Sequence, residues 1–379
     1  MQRSTDRILT THTGSLPRPD ALEKAWLAKL EGKDFDPGEL DGLVQAGVRE
    51  IVERQVAAGV DIVSDGEVGK PSYSTYVADR LDGFGGESGV MVVGDIAEYP
   101  DAAAPLLSDP GFGHMQRPAC IGPVSVKDPE AMNHDIRLLT ESAAAAGTDA
   151  FMTAVSPATI SMFFENQYYP TRTDYFAALA DAMRPEYRAI VDAGLTLQID
   201  CPDLGCGHVL YHDKSEDEVL SIIPEHVEAL NHALEGIPAA KVRMHVCWGN
   251  YQGPHHRDID LRKIVDQVLK VNVSGILIEG ANPRHDHEWK IWQDVDLPDD
   301  KVLVPGVVDT TNNYIEHPEL IAQRLERYAS VVGRERVLAG SDCGFATLVG
   351  MRATAPTIAW KKLEAMAEGA RIASARLWP

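Results

Sequence analysis

Short runs of apolar residues alternate with longer amphipathic segments along almost the whole chain. The short runs have the length and composition of buried strands, whereas the longer segments repeat their apolar residues with the period of a helix. Several helical segments end in glycine, as helix C-termini commonly do; clear examples are 42–59, 174–194, 216–236 and 317–333. The predicted strands are 7–14, 61–67, 149–156, 195–201, 241–247, 274–280, 301–308 and 336–343.

Eight strands that alternate with helices indicate a parallel sheet built from βα units. The simplest α/β architecture for eight such units is a (β/α)8 TIM barrel, and a doubly wound open sheet is the alternative. No GxGxxG or GxxxxGK[ST] motif follows the first predicted strand, which disfavours a nucleotide-binding open sheet. Residues 85–125 are rich in Gly and Pro and indicate a long insertion after the second strand. Because no linker interrupts the pattern, residues 1–379 are predicted to form a single domain.

Composition and charge narrow the class of protein. Hydrophobic residues make up 44% of the chain and charged residues 24%, which is typical of a globular protein with a packed core. The formal net charge of −22 opposes nucleic-acid binding, because phosphates require clustered Lys and Arg. No stretch reaches the ~20 apolar residues of a membrane span, and the N-terminus lacks the apolar segment of a secretory signal. Five cysteines without such a signal suit reduced thiols, so we expect a cytoplasmic protein.

Four potential metal ligands lie at the ends of three predicted strands. His245 and Cys247 are two positions apart in "KVRMHVC", so they project to the same side of one strand. Glu279 ends the next strand and Cys343 ends the last one. Strand ends of a barrel face one shared mouth, and Zn²⁺ accepts nitrogen, thiolate and carboxylate donors. A zinc site therefore competes with the simpler interpretation that these are buried packing cysteines.

Several segments resemble a known family. In order, they are "HTGSLPRP", "SDGE", "LQIDCPDLG", "MHVCWGN", "ILIEG", "PGVVD" and "GSDCG". Together they extend over nearly the whole chain and resemble the C-terminal catalytic barrel of cobalamin-independent methionine synthase and its short relatives, including the epoxyalkane–coenzyme M transferases. The resemblance implies a TIM barrel, a Zn²⁺ cofactor and transfer of an alkyl group onto a zinc-activated thiol such as homocysteine. The implied zinc ligands are His245, Cys247, Glu279 and Cys343.

The resemblance also implies a site for an amino-acid thiol. Thr13, Gly14 and Ser15 match the family segment that binds the homocysteine carboxylate, and Glu67 and Asp200 match the two acids that hold its amino group. Each has a simpler interpretation, since a serine can cap a turn and a glutamate can pair with an arginine. Two acids at the same mouth nonetheless favour an ammonium group over the sulfonate of coenzyme M.

The chain departs from the family pattern on the side of the alkyl donor. Methionine synthases have a histidine proton donor in a segment close to "PGVYDIH", where this chain has "PGVVDTTNN" and places Thr311. A folate nitrogen leaves readily only when it is protonated, so Asp309, His317 or a water must serve, or the donor is different. Phe163 replaces the tryptophan that stacks on folate in the family, and it could still stack on a flat donor.

The predicted function is a zinc-dependent alkyl transferase, most simply a methyltransferase of methionine biosynthesis. Two alternatives stay open: opening of an epoxide by a zinc-bound thiolate, and a barrel that binds zinc and thiols without turnover. The expected partners are a small-molecule thiol and an alkyl donor, for which a methylated folate is one candidate, and neither nucleic acid nor membrane. The sequence is also compatible with a homo-oligomer.

Overall fold

A curled parallel sheet forms the centre of the computed structural model, which describes residues 1–104, 108–211, 213–351 and 353–379. Seven strands pair side by side in the order β1-β4-β5-β6-β7-β8-β9, and every pair is parallel. A doubly wound sheet reverses its strand order at a switch point, so the sequential order excludes that alternative. The strands are β1 Ile62–Val63, β4 Asp149–Val155, β5 Thr196–Asp200, β6 Val242–Val246, β7 Gly275–Ile278, β8 Val302–Val308 and β9 Gly340–Ser341.

The predicted first strand, 7–14, is reduced to an isolated bridge at Thr10. Thr10 pairs with Ala339 in a parallel bridge, and its carbonyl accepts a hydrogen bond from the Ile62 N–H at 3.1 Å. This segment therefore contacts both edge strands of the sheet. A regular ladder does not form because the backbone N–H of Thr10 donates to the Asp61 carboxylate at 2.9 Å, and the N–H groups of its two predecessors also donate to side chains.

Long helices follow most strands and cover the outer face of the sheet. In the helix Pro37–Ala57, Leu40, Val44, Val48 and Ile51 are buried at helical spacing, which gives it the apolar stripe that packs on a sheet. The helices of eight or more residues are Asp20–Leu30, Pro37–Ala57, Pro129–Ala146, Arg172–Asp192, Ile223–Ala233, Leu261–Val268, Pro318–Val332 and Pro356–Leu377. Shorter helical segments are Val77–Arg80, Gly94–Glu98, Pro100–Ala102, Pro110–Gly113, Pro157–Phe163, Pro202–Gly205, Gly207–Leu210, Glu216–Leu220, Ala239–Lys241, Glu288–Gln293 and Arg334–Arg336.

The segment between β1 and β4 forms a second, antiparallel sheet. Strand β2, Leu81–Gly85, pairs with β3, Ala119–Val126, and the register shifts between Asp82 and Phe84. The sequence analysis predicts neither strand, because Gly and Pro interrupt the alternation of apolar and polar residues. The predicted insertion 85–125 begins in β2 and ends in β3; that it is an insertion stays a prediction.

A search of the described residues for membrane-crossing segments finds no helix with the required length and apolar character.

Candidate metal centre

Strand β6 carries two of the predicted ligands to the carboxyl edge of the sheet. Val242, Met244 and Val246 belong to the hydrophobic core. The alternate residues Arg243 and His245 are buried polar groups, as the two-residue period of a strand requires. Cys247 follows the strand in the same phase, so His245 and Cys247 project into the same interior.

His245, Cys247 and Cys343 converge in space. One ligand atom of each residue can be chosen so that all three lie within 4.8 Å of one another, and the two Sγ atoms are 3.3 Å apart although both cysteines are free thiols. The Nδ1 atom of His245 is buried and has no hydrogen-bond partner among the described residues. Buried polar atoms are normally satisfied, so a buried histidine with an unpartnered nitrogen beside two thiols fits a site for a metal ion.

Glu279 lies beside this group rather than within it. Its Oε1 accepts a hydrogen bond from the Trp248 backbone N–H at 2.8 Å, and Oε2 accepts one from Asn282 Nδ2 at 2.8 Å. Glu279 Oε1 is 3.5 Å from Cys343 Sγ. The fourth predicted ligand is therefore close to the other three, and other donors hold its two oxygens.

Electrostatics at the four residues also fit a cation. The hydrogen bond between the two sulfurs lowers the pKa of Cys247 and raises the pKa of Cys343 well above its usual range. Burial, and then the nearby Cys247, raise the pKa of Glu279 to about 7. A nearby anion raises the pKa of its neighbour, as Cys247 does for Cys343 and Glu279, and a bound divalent cation would relieve that repulsion.

Asp342 is a residue of this site that the sequence analysis missed. Its Oδ1 accepts hydrogen bonds from the backbone N–H groups of Gly280 and Ala281, each at 2.8 Å, and Oδ2 accepts one from Asn282 at 2.8 Å. Asp342 thus fixes the loop after β7, which carries Glu279, to the end of β9, which carries Cys343. The only signal in the sequence is its position directly before Cys343.

A cavity opens beside the three converging residues, all of which line it. Its wall includes five of the predicted substrate residues, namely Thr13, Ser15, Glu67, Phe163 and Asp200. Much of the remaining wall is apolar and comes partly from the segment between β2 and β3, including Met91, Val93, Phe112 and Met115. Cys206, which is not one of the converging residues, also lines this cavity.

Two buried carboxylates face each other across one part of this cavity. Burial raises the pKa of Glu67, and burial together with the neighbouring Glu67 raises the pKa of Asp200 to about 7. Glu67 has a φ of 56°, a conformation that is strained for a residue with a side chain. Its Oε2 is buried without a partner among the described residues. A cationic group in this place would satisfy both acids.

Thr13, Gly14 and Ser15, at the end of the predicted first strand, pack tightly through their backbone as well as through their side chains. Gly14 has no room for a Cβ, which would collide with Glu67 Oε1. The Thr13 hydroxyl already donates to the Ser341 carbonyl at 2.9 Å, and the Ser15 hydroxyl accepts a hydrogen bond from the Ala346 N–H at 3.3 Å. Both hydroxyls are therefore engaged in this structure.

Phe163 is the last residue of the short helix Pro157–Phe163 that follows β4. Its ring meets Tyr73 edge to face, with 6.0 Å between centroids. The structure therefore brings the predicted stacking residue into the same cavity as the predicted thiol-binding residues.

Asp309 and Thr311 line a second cavity. Asp309 Oδ1 accepts hydrogen bonds from the backbone N–H and the hydroxyl of Thr311 at 2.7 and 2.8 Å, and Oδ2 accepts one from Asn312. Glu279 and Cys343 line this cavity too. Asp309 and Thr311 are thus not in the wall of the first cavity, and the two cavities share Cys343.

Comparisons with known proteins agree with this geometry. A family model described as "Cobalamin-independent synthase, Catalytic domain" matches residues 113–371. The chain is 26% identical to a methionine synthase of Saccharolobus solfataricus, over 96% of this chain and 94% of the relative, and 26% identical to one of Sulfurisphaera tokodaii, over 96% and 91%.

A solved structure has the same fold. The B12-independent methionine synthase from Shewanella sp. W3-18-1, in complex with selenomethionine, superposes with a TM-score of 0.75 at 20% identity, over 98% of this chain and 99% of that one. The family match covers most of the chain and includes the three converging ligands and Glu279. The chain therefore belongs to the cobalamin-independent synthase family and contains its catalytic domain.

Proposed function

We propose that this protein is a zinc-dependent methyltransferase that moves a methyl group onto the thiol of homocysteine. The observation that carries the proposal is the convergence of His245, Cys247 and Cys343 within 4.8 Å, with the buried Nδ1 of His245 lacking a partner among the described residues. Relatives named methionine synthase, which align over most of their own length, support the reaction class.

Zn²⁺ suits this set of donors better than a harder cation does. One imidazole nitrogen and two thiolates are borderline-soft and soft ligands, whereas Mg²⁺ and Ca²⁺ prefer oxygen. His245, Cys247 and Cys343 would hold the ion, and Glu279 would be its fourth ligand and the one exchanged for substrate. When bound, Zn²⁺ would supply the acidity that turns a coordinated thiol into a thiolate nucleophile.

Homocysteine would lie in the first cavity, with its ammonium group between Glu67 and Asp200. In the segment Thr13 to Ser15, the Ser15 N–H would receive its carboxylate, because the N–H groups of Thr13 and Gly14 already donate to Ser341 Oγ and His12 Nδ1. This arrangement points the thiol toward Cys247 and Cys343. The two carboxylates would repel the sulfonate of coenzyme M, so they favour an amino-acid substrate. The selenomethionine bound by the Shewanella methionine synthase is an amino acid of the expected product class.

The methyl donor would occupy the apolar part of the same cavity. Met91, Met115 and Phe163 form a surface that accepts a flat group, and a methylated folate is one candidate. Asp309 and Thr311 would act from the second cavity, where the Thr311 hydroxyl donates to Asp309 Oδ1 at 2.8 Å. In this role Asp309 would pass a proton to the departing folate nitrogen.

We also infer that residues 1–379 form one domain with a closed (β/α)8 barrel. The support is the Thr10 segment, which hydrogen-bonds to Ala339 beside β9 and to Ile62 in β1. In this arrangement the ends of the strands that carry the ligands share one mouth.

The proposal is tested with zinc-loaded protein, homocysteine and a methylated folate, by following methionine formation. Cys343→Ser is expected to lose zinc affinity and turnover together. Cys120→Ser is the matched control, because Cys120 is a buried free cysteine in β3 that is not part of the ligand cluster. Full activity of Cys343→Ser without bound zinc would exclude the proposed function.

A further inference from the structure

A buried chain of ionisable residues joins the loops that follow β6 and β7. His255 Nδ1 donates to Asp258 Oδ2 at 3.0 Å, and His285 Nε2 donates to the same oxygen at 3.1 Å. His285 Nδ1 donates to Glu288 Oε2 at 2.8 Å. The side chains of Asp258, His285 and Glu288 are at most 3% exposed. His255 and Asp258 follow β6 in the chain, and His285 and Glu288 follow β7.

The geometry fixes the charges of both histidines. The two nitrogens of His285 face carboxylate oxygens, which only accept hydrogen bonds, so both nitrogens must carry protons. His255 faces Asp258 and the Tyr251 carbonyl, which accepts at 3.0 Å. Burial alone would lower their pKa values, but these hydrogen bonds raise the pKa of His255 to about 9 and that of His285 to about 10. Two imidazolium ions therefore neutralise two carboxylates inside the protein.

Trp248 connects this chain to the candidate metal centre. It is fully buried and directly follows Cys247 in the sequence. Its ring lies against the ring of His285, with 4.4 Å between centroids, and its Nε1 donates to the Ile259 carbonyl at 2.7 Å. Its backbone N–H donates to Glu279 Oε1 at 2.8 Å. A shift of His285 would therefore move the residue that adjoins one ligand and holds another.

The other end of this chain of ionisable residues reaches the segment between β2 and β3, which lines the first cavity. The carboxylate of Asp95, in the helix Gly94–Glu98, accepts hydrogen bonds from the Tyr251 hydroxyl at 2.6 Å and from the His255 N–H at 3.0 Å. His255 has a φ of 53°, and such strain persists only where the surroundings enforce it.

We propose that His285 is a positioning residue for the metal centre, which it stabilises by holding Trp248 and by tying the loop of Cys247 to the loop of Glu279. The inference rests on the proposed function, because it assumes that a metal ion occupies the centre. His285 does not contact the ligand atoms; it acts through Trp248, Asp258 and Glu288.

A buried network in which both nitrogens of each histidine donate a hydrogen bond suits this role. Such hydrogen bonds rigidify their surroundings, and the loss of one member leaves the others with unpaired charges. Replacement of His285 or Glu288 would let the two loops relax independently, and the spacing of Cys247 and Glu279 would change.

The test measures zinc affinity by competition with a chromophoric chelator in wild type, Glu288→Gln and His285→Phe. The glutamine can still accept the Leu261 N–H, which now donates to Glu288 Oε1 at 2.8 Å, but its amide nitrogen would face His285 Nδ1 and remove one hydrogen bond. The phenylalanine keeps a ring against Trp248 and removes both hydrogen bonds of His285, to Asp258 and to Glu288. We expect the dissociation constant for zinc to rise about tenfold in each variant, as losses beyond the ligands commonly cause.

Glu186→Gln is the matched control. Glu186 is a buried carboxylate that pairs with Arg80 at 3.2 Å and accepts a hydrogen bond from Tyr76, and it touches neither ligand loop in the contacts described. The Glu186→Gln variant should have a lower thermal stability in the zinc-free protein, while its zinc affinity stays within twofold of wild type.

Wild-type affinity in Glu288→Gln and His285→Phe would overturn the inference, even if both variants are less stable. Glu288→Gln alone decides the question if His285→Phe fails to fold. The absorption spectrum of the Co²⁺-substituted protein gives a second readout, in which the variants are expected to show altered ligand-field bands. If wild-type protein binds neither zinc nor cobalt, the proposed function itself fails, and this inference fails with it.

Discussion

At the scale of residues, the spacing of His245 and Cys247 decides the chemistry of the site. A spacing of two positions at the end of β6 places the imidazole of His245 and the thiol of Cys247 on one side of the strand. Cys343 approaches them from the end of β9. Glu279 is held back by Trp248 and Asn282. The site therefore consists of three close ligands and one nearby carboxylate, which suits an ion that must accept a substrate thiol.

The position of Glu279 leads to a ranking of ligand variants. Glu279→Gln should weaken zinc binding by about tenfold, because this side chain is not among the three converging residues, whereas Cys343→Ser should weaken it much more. Competition with a chelator measures both dissociation constants. Equal losses in the two variants would show that Glu279 is as firmly bound as the cysteines.

The raised pKa of Asp200, about 7, predicts a pH dependence of amino-acid binding. Below pH 7 Asp200 is protonated and attracts an ammonium group less, so affinity should fall as the pH decreases. L-Methionine is the suitable probe, since it has no thiol to ionise. Its dissociation constant should rise about three- to tenfold between pH 8 and pH 6, as measured by calorimetry with zinc-loaded protein.

Asp200→Asn is the control for that titration. It should bind methionine weakly and with little change over the same pH range. A wild-type dissociation constant that is constant from pH 6 to pH 8 would contradict the assigned role of Asp200.

The candidate site was predictable from the sequence only in part. His245, Cys247, Glu279 and Cys343 stand at strand ends, so the period of the strands and the parallel order were enough to group them. Asp342 and Asn282 were not predictable, because their role arises from hydrogen bonds across about sixty positions of the chain. The charges of His255 and His285 also depend on contacts that no motif encodes.

At the scale of elements, the sequence predicted every strand of the parallel sheet and missed the two strands of the small antiparallel sheet. Strands β4 to β8 lie within the predicted ranges, since buried parallel strands are continuous apolar runs. β2 and β3 contain Gly83, Pro123 and other residues that break the alternation. The segment around Thr10 contacts both edges of the sheet without a ladder, because side chains take its N–H groups.

Asp342 connects two elements, and its removal should measure that connection. In Asp342→Ala, three backbone N–H groups at the start of the loop after β7 would lose their acceptor in a buried place. We expect the free energy of unfolding of the zinc-free protein to fall by about 2–3 kcal/mol, as measured by urea denaturation.

Asp36→Ala is the comparison for that experiment. Asp36 caps the helix Pro37–Ala57 through the Gly38 N–H at 2.8 Å, but at the surface, where water can replace it. A loss in Asp342→Ala no larger than the loss in Asp36→Ala would contradict the connecting role.

At the scale of the whole molecule, the proposed metal site joins parts of the chain that are distant in sequence. β6, β7 and β9 each contribute to it, so a metal bound only by the folded state should stabilise the entire fold. Free zinc at 100 times its dissociation constant adds about 2.7 kcal/mol to the free energy of unfolding. Calorimetric melting should show a lower transition temperature after chelation, and Cys343→Ser should remove the difference. Identical transitions with and without zinc would contradict a shared metal centre.

The central claim is that the site activates the thiol of homocysteine, and titration calorimetry tests it most directly. Zinc-loaded protein is titrated with homocysteine in two buffers of different ionisation heat, so that the difference in heat counts the protons released. The account predicts binding with about one proton released near neutral pH, where the free thiol is largely protonated, and weaker binding of coenzyme M. Homocysteine that binds without releasing a proton, or does not bind at all, would contradict it.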